Sequence, residues 1–178
     1  CHIAMELASP AKHARIESRE AAAELLHERS VVLIGMRGAG KTHLGKMAAA
    51  TLGRTFVDLD HVYEAQHGPI LVTAQKLGWG VFRKREVDLL KETIHKHPTG
   101  AVIATGGGIV ETPEGRAVLR DHWPVVQAMK TIEDVEAYLK FDTTRPSLGE
   151  APRDVFSRRS PWYYECADLD LLPAAGVT

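Results

Sequence analysis

The sequence predicts an α/β domain with a five-stranded parallel sheet and helices on both faces. Short apolar, β-branched runs alternate along the chain with longer stretches of helical periodicity, the pattern of strands buried on both faces and joined by crossover helices. The first strand-to-helix junction carries a glycine-rich stretch, GMRGAGKT at 35–42. No repeat or low-complexity tract interrupts residues 30–172, which read as one domain.

The elements follow in order. Residues 11–29, rich in Ala, Glu and Arg, predict a leading helix with a thin apolar stripe of Ile16, Leu25 and Leu26. SVVLIG (30–35) predicts a buried strand, and 41–52 a helix with Leu44, Met47, Ala48 and Leu52 on one face. TFVDLD (55–60) predicts the second strand, and a helix over 62–67 ends at Gly68 and Pro69. Helices are predicted at 72–77 and 82–96, the latter with Val87, Leu90 and Ile94 inward. Strand 101–105 runs into three glycines, and helix 112–122 has Pro113 in its first turn. Strand 125–129, helix 132–139, a polar loop over 141–152, helix 154–167 and strand 169–172 complete the pattern.

Composition excludes several classes of function. The 178 residues suffice for one well-cored domain. With 44% hydrophobic and 25% charged residues and a net charge of -1, no global basic field calls for nucleic acid or an anionic membrane. No apolar run approaches the roughly 20 residues that span a bilayer. Cys1 and Cys166 show neither metal-ligand spacing nor a disulfide framework, which fits a cytoplasmic location. The start, CHIAMELAS, reads as residues left from cloning or as a cut from a longer protein, so residues 1–29 are expected to be such residues with a leading helix or linker. Residues 173–178 are expected to be a tail leading toward a next domain.

GMRGAGKT fits G-x-x-x-x-G-K-[ST] at every fixed position, after a strand and before a helix. Gly35, Gly38, Ala39 and Gly40 would curl the backbone so that its N–H groups meet phosphate oxygens. Lys41 would reach the β- and γ-phosphates, and Thr42 would place its hydroxyl on Mg²⁺. The chain is therefore expected to bind a nucleoside triphosphate.

The acceptor side rests on weaker signals. Asp58 and Asp60 would share one strand face at its C-terminal end, one for Mg²⁺ and the other to take a proton from a hydroxyl. The bland alternative is that Asp60 caps the next helix. Arg83 and Glu86, three apart, could form a surface ion pair, or Glu86 could hold Arg83 to grip an anion. Gly106, Gly107 and Gly108 permit close approach of a ligand, or form an ordinary turn. Arg145, in a polar loop before Pro146, could close over a transferring phosphoryl group, and an arginine of the Arg158–Arg159 pair could complete a carboxylate clamp. Trp79, Trp123 and Trp162 read as packing residues. No metal site beyond Mg²⁺ is expected.

In this order the pieces resemble the shikimate kinase family: a phosphate loop, D-x-D, F-R-x-x-E, G-G-G, an R-P lid and R-x-P-x-Y. Here they stand as GMRGAGKT (35–42), DLD (58–60), FRKRE (82–86), GGG (106–108), RP (145–146) and RSPWY (159–163), within about Val31 to Asp168. GMRGAGKT, FVDLD, GWGVFR (78–83), TGGGIVE (105–111) and PWYYEC (161–166) are similar to the kinase domain of the fungal pentafunctional arom polypeptide, which lies inside a longer chain. The resemblance implies a fold of the nucleoside-monophosphate-kinase type with a lid, ATP and Mg²⁺ as cofactors, and phosphorylation of the 3-hydroxyl of shikimate. It assigns ATP phosphates to the loop and Lys41, Mg²⁺ to Thr42 and Asp58, and the base to Asp60. It gives the carboxylate to Arg83 and Arg159 with Glu86 orienting Arg83, the substrate pocket to Gly106–Gly108, and the lid to Arg145. Two stretches depart from the family pattern: PILVTAQKL (69–77) and the lid sequence RPSLGE (145–150). The fungal quinate repressor carries a similar domain that senses metabolites, and gluconate kinase is a related small-molecule kinase. Both stand as alternatives.

Overall fold

The structure, a computed structural model, describes residues 5–7, 28–141 and 149–171. Strand β1 (Met5–Leu7) precedes β2 (Val31–Ile34), α1 (Lys41–Leu52), β3 (Thr55–Asp58) and α2 (Leu59–His67). Then come α3 (Ile70–Leu77), α4 (Trp79–Lys96), β4 (Ala101–Ala104), a single 3-10 turn (Ile109–Glu111) and α5 (Pro113–Asp121). Strand β5 (Val125–Ala128), α6 (Ile132–Phe141), α7 (Pro152–Cys166) and β6 (Leu169–Leu171) end the described chain. No described helix is long and apolar enough to cross a membrane.

The sheet order is β1-β6-β5-β2-β4-β3. Strands β2 to β6 are mutually parallel, as predicted, with Val32 opposite both Ile103 and Val125. Strand β1 adds an antiparallel edge, pairing Met5 with Leu171, which the sequence reading missed by taking residues 1–29 as cloning residues with a leading helix or linker. The leading helix expected over 11–29 lies almost wholly outside the described residues, as do Arg145 and the tail from 173.

Period-two alternation divides the core between the two faces. Val32, Ile34, Ala101 and Ile103 pack with Tyr63, Leu90, Leu119, Val155 and Tyr163 of the helices on one face. Val31, Leu33, Val102, Ala104 and Val126 pack with Ala49 of α1 on the other. The face expected for α1 is corrected: Met47 and Leu52 are exposed, and the buried residues are Gly45 and Ala49. Leu44 and Ala48 do pack against the core, partly buried, but a Cβ at Gly45 would lie 2.3 Å from the Phe56 ring, so α1 makes its closest approach to the sheet through its smallest residues.

The second strand is also shorter than predicted. It stops at Asp58, and α2 begins at Leu59. Asp58 Oδ1 accepts the Asp60 N–H at 3.1 Å and caps α2, so Asp58 rather than Asp60 is the cap, and the two carboxylates do not share a strand face. Thr112 caps α5 through the Gly115 N–H, with Pro113 in the first turn.

Candidate active site

The phosphate loop joins β2 to α1 at the carboxyl ends of the parallel strands, where open α/β sheets bind ligands. Gly35 leaves β2 with φ 138°. A Cβ there would lie 2.5 Å from the Ala128 carbonyl oxygen, so only glycine lets the chain pass β5 and turn. Gly40 starts α1 from φ 85°, and a helix N-terminus behind such a turn offers N–H groups to phosphate oxygens. Lys41 folds back across the loop, its Nζ donating to the carbonyls of Gly35 and Met36 at 2.8 and 2.9 Å.

Thr42, one residue on, donates from Oγ1 to Asp58 Oδ2 at 2.7 Å. A hydroxyl and a carboxylate paired beside a phosphate loop are the donor set that suits Mg²⁺, which takes one or two protein oxygens and fills its shell with water and phosphate. No cluster of three or more His, Cys, Asp or Glu among the described residues forms an all-protein cage. Thr42 and Asp58 therefore fit the ion.

A cleft of about 520 Å³ opens beside the loop, lined by Arg37, Asp60, Trp79, Arg83, Glu86, the three glycines, Arg159 and the wall Pro69–Val72. Asp60 reaches it from the first turn of α2. Arg83 reaches it from the first turns of α4, with its guanidinium over the rings of Phe82 and Trp79 at 5.0 and 5.5 Å. Trp79 is 41% exposed, so it forms cleft wall where the sequence reading expected packing.

Arg83 Nη1 donates to Glu86 Oε2 at 2.7 Å. Glu86 is buried, and burial pushes its carboxyl up; the Arg83 charge and hydrogen bond work the other way. This pair is enclosed rather than the solvated surface pair of the bland alternative. The glycine turn makes room for it: a Cβ at Gly106 would lie 2.2 Å from Glu86 Oε1 and 2.8 Å from Asp60 Oδ1, and one at Gly108 would strike the Arg83 guanidinium. Gly107 packs against the phosphate loop, where a Cβ would lie 3.0 Å from the Arg37 nitrogen. The glycine turn thus touches both the phosphate loop and the Arg83–Glu86 pair.

Arg159 comes from α7, buried at 3% exposure. It donates from Nη1 to the Gly107 carbonyl at 2.9 Å and from Nε to Glu111 Oε1 at 2.7 Å. Tyr163 donates its hydroxyl to the same Gly107 carbonyl, and burial pushes that hydroxyl up to about 12, so it stays protonated at neutral pH. At Glu111, burial pushes upward, but Arg159 and Arg158 outweigh it and hold the carboxyl below its usual range. Sequence reasoning named Arg159 and missed Glu111, which stands 48 residues away with no local signal. Arg158 points outward to Glu111 and Glu150.

Fold and phosphate loop together define the class, a P-loop nucleotide-binding α/β domain. The chain belongs to the shikimate kinase family, whose model, described as shikimate kinase, matches residues 37–172. It is 40% identical over 152 residues to the pentafunctional AROM polypeptide of Mycosarcoma maydis, an alignment that covers 80% of this chain and 9% of that protein. The chain thus spans about a tenth of the length of this curated relative. Among solved structures it is similar to shikimate kinase from Acinetobacter baumannii in complex with shikimate, with a TM-score of 0.77 and 32% identity over 87% of this chain and 89% of that one. It is also similar to shikimate kinase from Aquifex aeolicus, with a TM-score of 0.66 and 26% identity over 77% and 83% of the two chains.

Proposed function

We propose that the domain transfers the terminal phosphoryl group of ATP to the 3-hydroxyl of shikimate, giving ADP and shikimate 3-phosphate. The observation that carries this reading is the two-ended cleft. Arg37 brings the phosphate loop to its wall, Arg83 and Arg159, two arginines suited to a carboxylate, line the same cleft, and Asp60 lies beside the glycine turn. The family supports the acceptor, and the Acinetobacter baumannii relative holds shikimate.

Each residue then has a task. The backbone N–H groups of 35–42 and Lys41 hold the ATP phosphates, so Lys41 must leave the carbonyls of Gly35 and Met36 as phosphate enters. Thr42 and Asp58 hold Mg²⁺, which supplies positive charge to the transferring phosphates when bound. Arg83 and Arg159 take the carboxylate of shikimate, with Glu86 fixing the direction of Arg83. Asp60 accepts the proton of the 3-hydroxyl as its oxygen bonds to the γ-phosphorus and the bond to the bridging oxygen breaks, releasing ADP. Gly106–Gly108 keep the acceptor floor free of side chains, and Arg145 serves as the lid arginine. In the full protein the domain sits within a longer multidomain chain.

The test is ADP release by the purified domain with ATP, Mg²⁺ and either shikimate or gluconate. Release that depends on shikimate and on Mg²⁺, with gluconate inert, is expected. Shikimate binding without turnover would contradict the reading and leave a metabolite-sensing domain; turnover of gluconate alone would contradict it in favour of a sugar-acid kinase.

A further inference from the structure

Glu111, the last residue of TGGGIVE, has no role in the reading above, yet it ties the glycine turn to α7 at the acceptor end. It ends the 3-10 turn that follows the three glycines. One oxygen accepts from Arg159 Nε at 2.7 Å and the other from Arg158 Nη1 at 2.6 Å. The two bonds are unequal. The Arg158 side chain is 38% exposed and also pairs with Glu150, so solvent weakens its share. The Arg159 side chain is 4% exposed, and a cation so enclosed is costly without a partner.

Arg159 also donates to the Gly107 carbonyl, which Tyr163 approaches from one turn further along α7. With Nε on Glu111 and Nη1 on Gly107, the plane of the guanidinium is fixed while the residue still lines the cleft. Arg83 is held in the same way by Glu86. Each arginine of the clamp therefore has its own carboxylate.

We propose that Glu111 is a positioning residue that holds Arg159 toward the acceptor's carboxylate, setting affinity for the acceptor rather than the rate of phosphoryl transfer. The inference rests on the reading of shikimate as acceptor. Glu111→Gln keeps the shape and removes the charge. It should raise both Kd and KM for shikimate about tenfold, with kcat and KM for ATP within about twofold of wild type. A structural role alone would not produce that split.

The decisive comparison is a double-mutant cycle, with shikimate binding read by calorimetry on the same domain. If Glu111 acts through Arg159, then Glu111→Gln in an Arg159→Ala background should change Kd by less than about twofold. Should Glu111→Gln fail to fold, Glu111→Asp, which keeps the charge but shortens the reach, carries the same cycle with an expected rise of about threefold. Unchanged or tighter binding by the single variant, or full additivity with Arg159→Ala, would overturn the proposal while leaving shikimate as substrate. A wild-type domain that binds no shikimate would overturn the functional reading and this inference with it.

Discussion

Asp60 stands on the first turn of α2 with its carboxylate beside Gly106, and Asp60→Asn removes the proposed proton acceptor while keeping its shape. We expect kcat to fall by about 10²- to 10⁴-fold, the usual weight of a general base, while nucleotide affinity stays within about twofold, the loop of 35–42 being untouched. Steady-state kinetics with nucleotide titration checks this, and near-wild-type kcat would remove Asp60 as base. This residue also shows where sequence reading stops. Its place near the site was legible from D-x-D after a strand, but its element was not. Asp58 spends one oxygen on the Asp60 N–H and the other on Thr42, and that cap starts the helix at Leu59, three residues earlier than the apolar pattern can reveal. Glu111 was illegible for a different reason: its partner is distant in sequence, and nothing in TGGGIVE distinguishes a clamp-holding glutamate from a solvated one.

Among the elements, the strands and helices around the site were largely legible, because buried parallel strands are continuous apolar runs and glycine marks their ends. Which side of a helix faces inward was less so. In α1 the contact runs through Gly45 and Ala49, and small residues carry little hydrophobic signal. Helix α5 depends on a similar close approach. A Cβ at Gly115 would lie 2.1 Å from the Ile109 carbonyl oxygen, a backbone atom of the turn that leads to Glu111 and unable to rotate away. Gly→Ala in an exposed helix gains about 1 kcal/mol, whereas overpacking costs about 1–3 kcal/mol. Gly115→Ala should therefore destabilise the domain, lowering Tm by a few degrees, and should raise KM for shikimate by displacing the turn. Thermal unfolding with kinetics at permissive temperature checks both; a raised Tm would contradict the packing argument. Edge strand β1 escaped because its stretch was read as lying outside the domain, and Met5–Leu7, three residues long, is too short for alternation to argue otherwise.

For the whole molecule, the end of the sheet away from the cleft imposes a pH dependence. His122 is buried there, its Nε2 2.8 Å from the Ser30 carbonyl. Ser30 Oγ accepts from the Ala101 N–H, and Asp168 Oδ2 accepts from the Val125 N–H. Burial pushes His122 below its ordinary value of 6.5, although the bond to Ser30 acts in the other direction. Because the folded value is depressed, the unfolded chain takes up the proton first. The contribution of His122 is full above about pH 6.5 and is lost as pH falls toward the folded value, with a slope of at most about 1.4 kcal/mol per pH unit. Urea unfolding between neutral pH and about pH 5 should show that slope, and His122→Gln, which can still donate to Ser30, should flatten it. An equal slope in the variant would contradict the assignment.

The two-ended cleft is the central claim, and the identity of the phosphorylated product tests it most directly. Proton and phosphorus NMR of a reaction holding the domain, ATP, Mg²⁺ and shikimate should show one new phosphate ester, coupled to the ring proton at carbon 3, appearing in step with ADP. A phosphate on another hydroxyl would contradict the placement of Asp60, and ADP formed without any shikimate ester would contradict the account of the acceptor end.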